Sequence, residues 1–234
     1  MPVANFPPIE LADEHGLLAI GGDFSVETLV LAYQRGIFPW PISDQYPLAW
    51  FSPDPRGIIE WDRVYLSQSL RKFLKKQNYK IIFNRDFESV IKECGTIQRK
   101  GQTSTWITKD IVQGYKHLFQ KELAYCVEVL SNDKLVAGLY GVCINGIVSG
   151  ESMFHKESNT SKLALLAVLY SLHINGLQWL DTQMVTPVVD NLGGREIPRE
   201  IFIEKLERLQ RYKRHELFGV LPKDWTLHLL QELD

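Results

Sequence analysis

Apolar residues recur at helical spacing in two stretches of the first half of the chain. Leu66, Leu70 and Leu74 follow one another at intervals of four, which places them on one side of a helix and the neighbouring lysines on another. Thr108 precedes a similar pattern and is a suitable N-cap. The pattern predicts a helix over 66–77, a short strand over 80–83 and a second helix over 109–119.

From residue 124 onward the pattern changes to alternating and continuous apolar runs. Two such runs around the turn sequence Ser-Asn-Asp predict an antiparallel hairpin, and the Asn-Gly pair at 145–146 predicts a further turn. Residues 160–174 are apolar nearly all round, which predicts a buried helix. We predict strands over 124–130, 134–144, 147–154 and 177–183, helices over 160–174, 187–192 and from 199, and a loop over 192–198.

The first 60 residues have a different composition, which is rich in proline, glycine and tryptophan. One helix is predicted over 26–35, with Ser25 as N-cap and Gly36 as its end. Few strands are expected here, so this stretch is interpreted as a small domain or as a wrap around a larger one.

The order of the predicted elements indicates a mixed α/β (α+β) protein with a mostly antiparallel sheet. The same order occurs in the acetyltransferase (GNAT) fold, which usually binds acetyl-CoA. Those enzymes hold the pyrophosphate with backbone N–H groups of a glycine-rich loop at the start of the central helix. Residues 156–162 read KESNTSK and contain no glycine, so a protein with this fold would use another acyl donor.

Composition narrows the class of protein. The 45% hydrophobic content is ordinary for a globular protein, and the N-terminus lacks the basic and apolar segments of a secretory signal. The longest apolar stretch, 163–170, is too short to span a bilayer. Three scattered cysteines and six unpaired histidines predict a cytoplasmic protein without disulfides, metal or membrane segment.

Charge is distributed unevenly, although the net charge is only −2. Residues 63–121 contain 13 lysines and arginines against 4 acids, whereas residues 1–62 contain 2 against 9. A basic block of this kind is a candidate surface for phosphate. Four of its members form a stripe on the first predicted helix, for which a merely solvated face is the alternative: Arg71, Lys72, Lys75 and Lys76.

Asp181 and Gln183 interrupt the end of the predicted strand 177–183. Residues i and i+2 of a strand share a face, so both side chains are expected to converge on one cleft. A strand end that frays into solvent is the alternative.

Several blocks in order along the chain resemble the leucyl/phenylalanyl-tRNA–protein transferases. Each block alone is weak, but together they extend over nearly the whole chain. The blocks are GLLAIGGDFS (16–25), LAYQRGIFPW (31–40), WFSPDPRG (50–57), LVAGLYGV (135–142), GESMF (150–154), NTSKLALL (159–166), DTQ (181–183) and LGGREIPR (192–199).

The resemblance implies a small N-terminal domain, 1–62, packed on an acetyltransferase-like domain, 63–234, in which residues 63–121 bind tRNA. It implies transfer of Leu or Phe, and possibly Met, from aminoacyl-tRNA to proteins that begin with Lys or Arg, which marks them for N-end-rule degradation. The partners would be Leu-tRNA, Phe-tRNA and the acceptor proteins. The enzyme would be a cytoplasmic monomer without metal or organic cofactor.

The resemblance also implies roles for individual residues. Asp181 and Gln183 would act together on the acceptor amine, and Glu151 would add a second acid that attracts a cationic acceptor. The terminal adenosine would stack on Trp50, Trp106 and Tyr115. The pocket for the amino-acid side chain would be lined by Leu139, Met153, Phe154, Leu165, Val168, Leu172 and Leu180.

Some positions depart from the family pattern, and other functions compete with it. Val168 and Leu172 stand where relatives often carry aromatic residues, which leaves the choice between Leu and Phe open. The alternatives are a CoA-dependent N-acetyltransferase, a leucyl transferase for acidic N-termini, and a non-catalytic module that binds tRNA or peptide N-termini.

Overall fold

The computed structural model describes residues 2–40, 47–96, 107–209 and 213–233. Over these residues the fold is mixed α/β, as predicted. The strands are β1 (Leu17–Ile20), β2 (Phe38–Pro39), β3 (Ala49–Phe51), β4 (Arg56–Glu60), β5 (Lys80–Phe83), β6 (Ala124–Ser131), β7 (Lys134–Ile144), β8 (Ile147–Val148), β9 (Ser152–His155), β10 (Trp179–Gln183) and β11 (Arg195–Ile197). The helices are α1 (Val26–Gln34), α2 (Gln68–Lys76), α3 (Phe87–Thr96), α4 (Lys109–Gln120), α5 (Thr160–Ile174), α6 (Pro187–Asp190), α7 (Arg199–Glu207), α8 (Arg214–Leu217) and α9 (Trp225–Glu232), with short 3-10 turns at Ile9–Leu11 and Trp61–Arg63.

The strands form three antiparallel sheets within the described ranges. The largest has the order β5-β6-β7-β8, with β9 also paired to β7. A second has the order β10-β4-β11, and the third, β1-β3-β2. The β6–β7 hairpin and the helix α5 confirm the predictions made for residues 124–144 and 160–174.

The largest sheet lies between two layers of helices. Alternate residues of each strand point to opposite faces, so Val127 and Leu139 belong to the core around α5. Cys126 and Tyr140 point the other way, into the core formed with α1, α3 and α4. Twelve of the thirteen positions from Thr160 to Leu172 of α5 are buried, Lys162 being the exception, which explains the apolar sequence of the helix.

Side-chain caps begin several of the predicted helices. The Ser25 hydroxyl accepts a hydrogen bond from the Thr28 N–H, and Thr108 does the same for Ile111. Ser67 caps α2, so the predicted helix 66–77 is one or two residues shorter at each end. Asn159 at the start of α5 makes no side-chain cap.

Three predictions about strands were wrong. The strand predicted over 147–154 is broken into β8 and β9, because the chain leaves β7 at residues 149–151 to contact β10. The predicted loop 192–198 contains β11, which pairs with β4. The first 60 residues contain four strands rather than few, since short Pro- and Gly-flanked strands have weak sequence patterns.

Strand β4 connects the first part of the chain to the rest. It lies between β10 and β11, so Ile58 is paired with both Asp181 and Arg195. This pairing brings the first residue of β4, Arg56, to the end of β10. No helix in the described ranges is long and apolar enough to cross a membrane.

Candidate active site

Glu151 lies at the break between β8 and β9. Gly141 on β7 permits the break, because an added Cβ there would lie 1.8 Å from the Ser149 carbonyl oxygen. Two backbone hydrogen bonds hold the chain in this position. The Gly150 N–H donates to the Asp181 carbonyl oxygen at 2.9 Å, and the Glu151 N–H donates to the Tyr140 carbonyl oxygen at 2.9 Å. The side chain of Glu151 is therefore turned toward the end of β10.

The Glu151 carboxylate accepts hydrogen bonds from three side chains. The Ser149 hydroxyl lies at 2.5 Å, the Gln183 Nε2 at 2.9 Å and the Tyr115 hydroxyl at 3.2 Å. No lysine or arginine of the described residues forms an ion pair with it. Burial raises the pKa of Glu151 and the nearby Asp181 charge adds to the rise, while its hydrogen bonds act in the opposite direction.

Tyr115 and Tyr33 continue this network into the core. Their hydroxyl oxygens are 2.5 Å apart, and both side chains are buried. Burial raises the pKa of both tyrosines well above their ordinary value. The two phenols therefore stay protonated, and Tyr115 serves as a hydrogen-bond donor to Glu151.

Asp181 has a different environment, in which its charge is compensated. Arg56 Nε donates to Asp181 Oδ1 at 2.9 Å and Nη2 donates to Oδ2 at 2.6 Å. Both side chains are 1% exposed. The Gln183 N–H donates to the same Oδ1 at 2.9 Å. The carboxylate thus accepts three hydrogen bonds, two from an arginine fork and one from a backbone amide.

The expectation that Asp181 and Gln183 face one cleft was wrong. The pairing of β10 with β4 shifts between Asp181 and Gln183, and Gln183 has a φ of 63°. This turn breaks the two-residue alternation on which the expectation depended. Gly57 makes room for it, because an added Cβ would lie 2.5 Å from the Met184 carbonyl carbon.

The hydrogen bond to Glu151 fixes which way the Gln183 amide faces. Its Nε2 must face the carboxylate of Glu151, since an ionised carboxylate only accepts hydrogen bonds. The carbonyl oxygen of the amide has no hydrogen-bond partner among the described residues and is available to a substrate. Glu151 and Gln183 thus present two acceptors side by side.

Both side chains line a cavity of about 450 Å³. The rest of its wall is mostly apolar and includes four residues of the predicted pocket: Leu139, Met153, Leu165 and Leu180. The other described lining residues are Phe38, Pro39, Trp40, Gly150, Ser152, His155, Ser161, Thr182, Met184, Thr186, Pro187, Val188 and Val189. Asp181 is absent from the lining, because it lies behind the Gln183 turn.

Three predicted pocket residues do not line this cavity. Phe154 follows Met153 on β9 and therefore points to the opposite face. Val168 and Leu172 lie one and two turns beyond Leu165 on α5, where the core is packed and both are at most 1% exposed. Their apolar character serves the core, which corrects the pocket assignment at these positions.

The predicted adenosine-stacking residues are not exposed where the structure describes them. Trp50 belongs to β3 rather than to a loop; it is 1% exposed and donates its indole N–H to the Gly21 carbonyl oxygen. Tyr115 is fully buried and uses its hydroxyl on Glu151. Trp106 lies outside the described residues. The lining includes two other aromatic residues, Phe38 and Trp40, both from the block LAYQRGIFPW.

The predicted basic stripe divides into two groups. Arg71 donates to the carbonyl oxygens of Leu66 and Leu233, so it helps to hold the C-terminal helix α9 against α2. Lys72, Lys75 and Lys76 are exposed and make no ion pair with any described residue. These three lysines form the free basic surface of α2.

Four residues of the site were missed from the sequence. Arg56, Tyr33 and Trp40 lie in blocks that carried the resemblance, but nothing in the spacing indicated their contacts. Ser149 precedes Gly150 and Glu151 in a stretch that was assigned to a continuous strand. Its hydroxyl bond to Glu151 depends on the strand break, which the pattern does not reveal.

The arrangement suits proton transfer from an amine beside an apolar side-chain pocket. A carboxylate with a raised pKa is a better proton acceptor than an ordinary surface carboxylate. The adjacent amide oxygen can hold the same amine in place. The apolar wall is suited to an uncharged side chain.

Comparison with known proteins agrees with this chemistry. Residues 58–207 match the family model of the leucyl/phenylalanyl-tRNA protein transferase, and residues 22–54 match the model of its N-terminal domain. The leucyl/phenylalanyl-tRNA–protein transferase of Flavobacterium johnsoniae is 43% identical over 202 residues, which cover 86% of this chain and 95% of that protein. The enzyme of the same name from Pseudoalteromonas atlantica is 41% identical over 231 residues, covering 98% of this chain and 94% of that protein. The chain therefore belongs to the leucyl/phenylalanyl-tRNA–protein transferase family of aminoacyl-transferring enzymes.

Proposed function

We propose that this protein transfers Leu or Phe from aminoacyl-tRNA to the N-terminal α-amino group of proteins that begin with Lys or Arg. The product would carry a new N-terminal residue that marks it for N-end-rule degradation in the cytoplasm. The enzyme would act as a monomer. The observation that carries the proposal is the pair formed by Glu151 and Gln183 at the polar end of an apolar cavity.

We also propose that residues 1–62 form a small N-terminal domain on an acetyltransferase-like domain of residues 63–234. The sheet, hairpin and buried helix α5 support this arrangement. Strand β4, from the first part, completes the sheet of the second part. The two parts would therefore share the structure that holds the site.

An aminoacyl ester is already activated, so the reaction requires positioning and proton transfer. The acceptor ammonium gives one proton to the Glu151 carboxylate while its nitrogen is held by the Gln183 amide oxygen. The neutral nitrogen attacks the ester carbonyl carbon and forms the new C–N bond. The C–O bond to the 3′-oxygen of the tRNA then breaks, and a second amine proton passes to that leaving oxygen.

The apolar part of the cavity would hold the donor's side chain. Leu139, Leu165 and Leu180 offer dispersion contacts to Leu or Phe and nothing that would pair with a charged side chain. Such a pocket distinguishes apolar side chains by only about 1–3 kcal/mol per methylene-sized change. Trp40, in the same wall, is placed to stack on the terminal adenosine.

The direct test uses labelled Leu-tRNA and Phe-tRNA with peptides that begin with Arg, Lys, Asp or Met. We expect label to enter the Arg and Lys peptides from both donors. Labelling of the Asp peptide alone would assign the protein to the acidic-acceptor class. Turnover of acetyl-CoA with the same peptides, without use of either tRNA, would overturn the proposal.

The free basic surface of α2 is proposed to contact the tRNA backbone. Lys75→Glu/Lys76→Glu should weaken the use of Leu-tRNA and flatten its dependence on salt, because fewer counterions are released. A short aminoacyl-adenosine donor lacks the acceptor stem and should be used as before. Equal losses with both donors would place the tRNA on another surface.

A further inference from the structure

We propose that Arg56 is a positioning residue of this site. It orients the Asp181 carboxylate, and through that carboxylate it sets the turn that aims the Gln183 amide at Glu151. The inference rests on the proposed function, in which Gln183 holds the acceptor amine.

Arg56 is fixed on every side. Its guanidinium makes two bonds to Asp181 and donates from Nη1 to the Gly36 carbonyl oxygen at 2.8 Å. The rings of Phe202 and Phe38 lie on it, with centroids 4.4 and 4.8 Å from Cζ. A planar fork held in this way leaves the Asp181 carboxylate a single orientation.

The orientation of Asp181 matters because its Oδ1 accepts a second hydrogen bond besides that of Arg56. The same oxygen accepts the N–H of Gln183, whose φ of 63° is unusual for a residue with a side chain. Strained backbone of this kind persists only where surrounding contacts over-determine it. The backbone bond to Asp181 is such a contact, and the turn that it stabilises places the Gln183 amide 2.9 Å from Glu151.

Another buried carboxylate shows what a purely structural pair looks like. Glu128 is fully buried, accepts Arg85 Nε and Nη2 at 3.0 and 2.6 Å, and accepts the Asp86 N–H at 2.8 Å. The donors are the same in kind and number as those of Asp181, but Arg85 is half exposed and both of its contacts fall on one oxygen. Glu128 lies on β6 away from the cavity lining, and Asp86 has an ordinary backbone conformation.

A pair of double variants separates positioning from stability. Arg56→Met/Asp181→Asn and Arg56→Met/Asp181→Leu both remove the two buried charges, which avoids the penalty of an unpaired charge. Only asparagine retains an acceptor for the Gln183 N–H. We expect similar urea midpoints, a kcat loss of about 10-fold for the asparagine variant and about 100-fold for the leucine variant, with little change in KM for Leu-tRNA. Glu128→Gln, as the control, should lower the urea midpoint and leave kcat within about twofold.

A second measurement does not depend on transfer. Hydrogen exchange of the Gln183 amide, followed by NMR, should be protected in wild type and in Glu128→Gln, and unprotected in Arg56→Met/Asp181→Leu. Wild-type protection and wild-type kcat in that folded double variant would overturn the positioning role. Lost protection together with full transfer would instead overturn the use of Gln183 in the proposed function, since the turn would have been released without effect.

Discussion

Glu151 and Asp181 are carboxylates on either side of one glutamine, yet their surroundings differ: Asp181 is buried, whereas Glu151 is half-buried in the cavity wall. Asp181 accepts an arginine fork and the backbone N–H of Gln183. Glu151 accepts the side chain of Gln183 and two hydroxyl groups, with no cation among the described residues. One charge is neutralised by its neighbours, and the other is only hydrogen-bonded.

The difference separates structural from chemical use of a charge. The Asp181 carboxylate accepts the Arg56 fork and the Gln183 N–H and does not line the cavity. A half-buried carboxylate that has no cation beside it in the described part of the chain, such as Glu151, is costly for the folded state, and such groups occur at reactive sites. Glu151 is therefore the proton acceptor of the proposed reaction, and Asp181 supports the turn beside it.

Replacing each carboxylate by its amide should affect catalysis in one case and stability in the other. Glu151→Gln should lower kcat by about 10²–10⁴-fold, because the proton acceptor is lost, while the free energy of unfolding should not fall. Asp181→Asn should lower the free energy of unfolding by about 3–5 kcal/mol, because Arg56 would be left buried without a counter-charge. Single-turnover transfer and urea unfolding measure the two effects.

The distinction between the two carboxylates would be wrong if Glu151→Gln and Asp181→Asn had the same effects on transfer and stability. Normal single-turnover transfer by Glu151→Gln would exclude this carboxylate as the proton acceptor. Wild-type stability of Asp181→Asn would mean that solvent compensates Arg56. Glu128→Gln provides the reference away from the cavity, and it should cost less than Asp181→Asn because its partner Arg85 is half exposed and can be solvated.

Tyr115→Phe should have a smaller effect on the same carboxylate. The variant removes the hydroxyl donor at 3.2 Å and leaves the ring in the core. Loss of a donor to the charged form raises the pKa of Glu151 further, so the acidic limb of the kcat/KM profile should move to higher pH and kcat should fall about 10-fold. Tyr33→Phe should move the limb in the same direction, because the Tyr33 hydroxyl also hydrogen-bonds to Glu151 and lowers its pKa. The control is Tyr79→Phe, which removes a hydroxyl bound to Glu157 away from the cavity lining. A profile of Tyr115→Phe that overlays the wild-type profile would contradict the expectation.

The smallest expected effect is on how the free energy of unfolding depends on pH. Because the pKa of Glu151 is raised above 4.5 in the folded protein, the folded state binds more protons than the unfolded state between the two pKa values. The free energy of unfolding should therefore fall as pH rises through this window, and the loss should be complete above the folded pKa. Urea unfolding of wild type and Glu151→Gln should agree at about pH 4 and diverge toward pH 8, with the variant the more stable. A constant difference across this range would contradict the prediction.

The sequence predicted the elements with strong periodicity. The β6–β7 hairpin, α4 and α5 follow from alternation, helical spacing and caps, and Gln183 and Glu151 were found through the family blocks. The turn at Gln183 was not predictable, because positive φ at a glutamine depends on Asp181, on Gly57 and on a strand paired from far along the chain. Val168 illustrates a second limit: an apolar residue on α5 has the same pattern whether it faces a cavity or the core.

The pairing of β4 with β10 has a consequence for synthesis of the chain. Arg56 and Asp181 are 125 residues apart, so the ribosome synthesises Arg56 long before Asp181. Until β10 and β11 emerge, β4 of the nascent chain lacks both of its neighbouring strands, and the Arg56 guanidinium lacks its counter-charge. Domains usually fold as units, and contacts so distant in sequence close late. The cavity is therefore completed only near the end of translation, and a truncated chain that stops before residue 181 cannot form the Asp181–Gln183 turn.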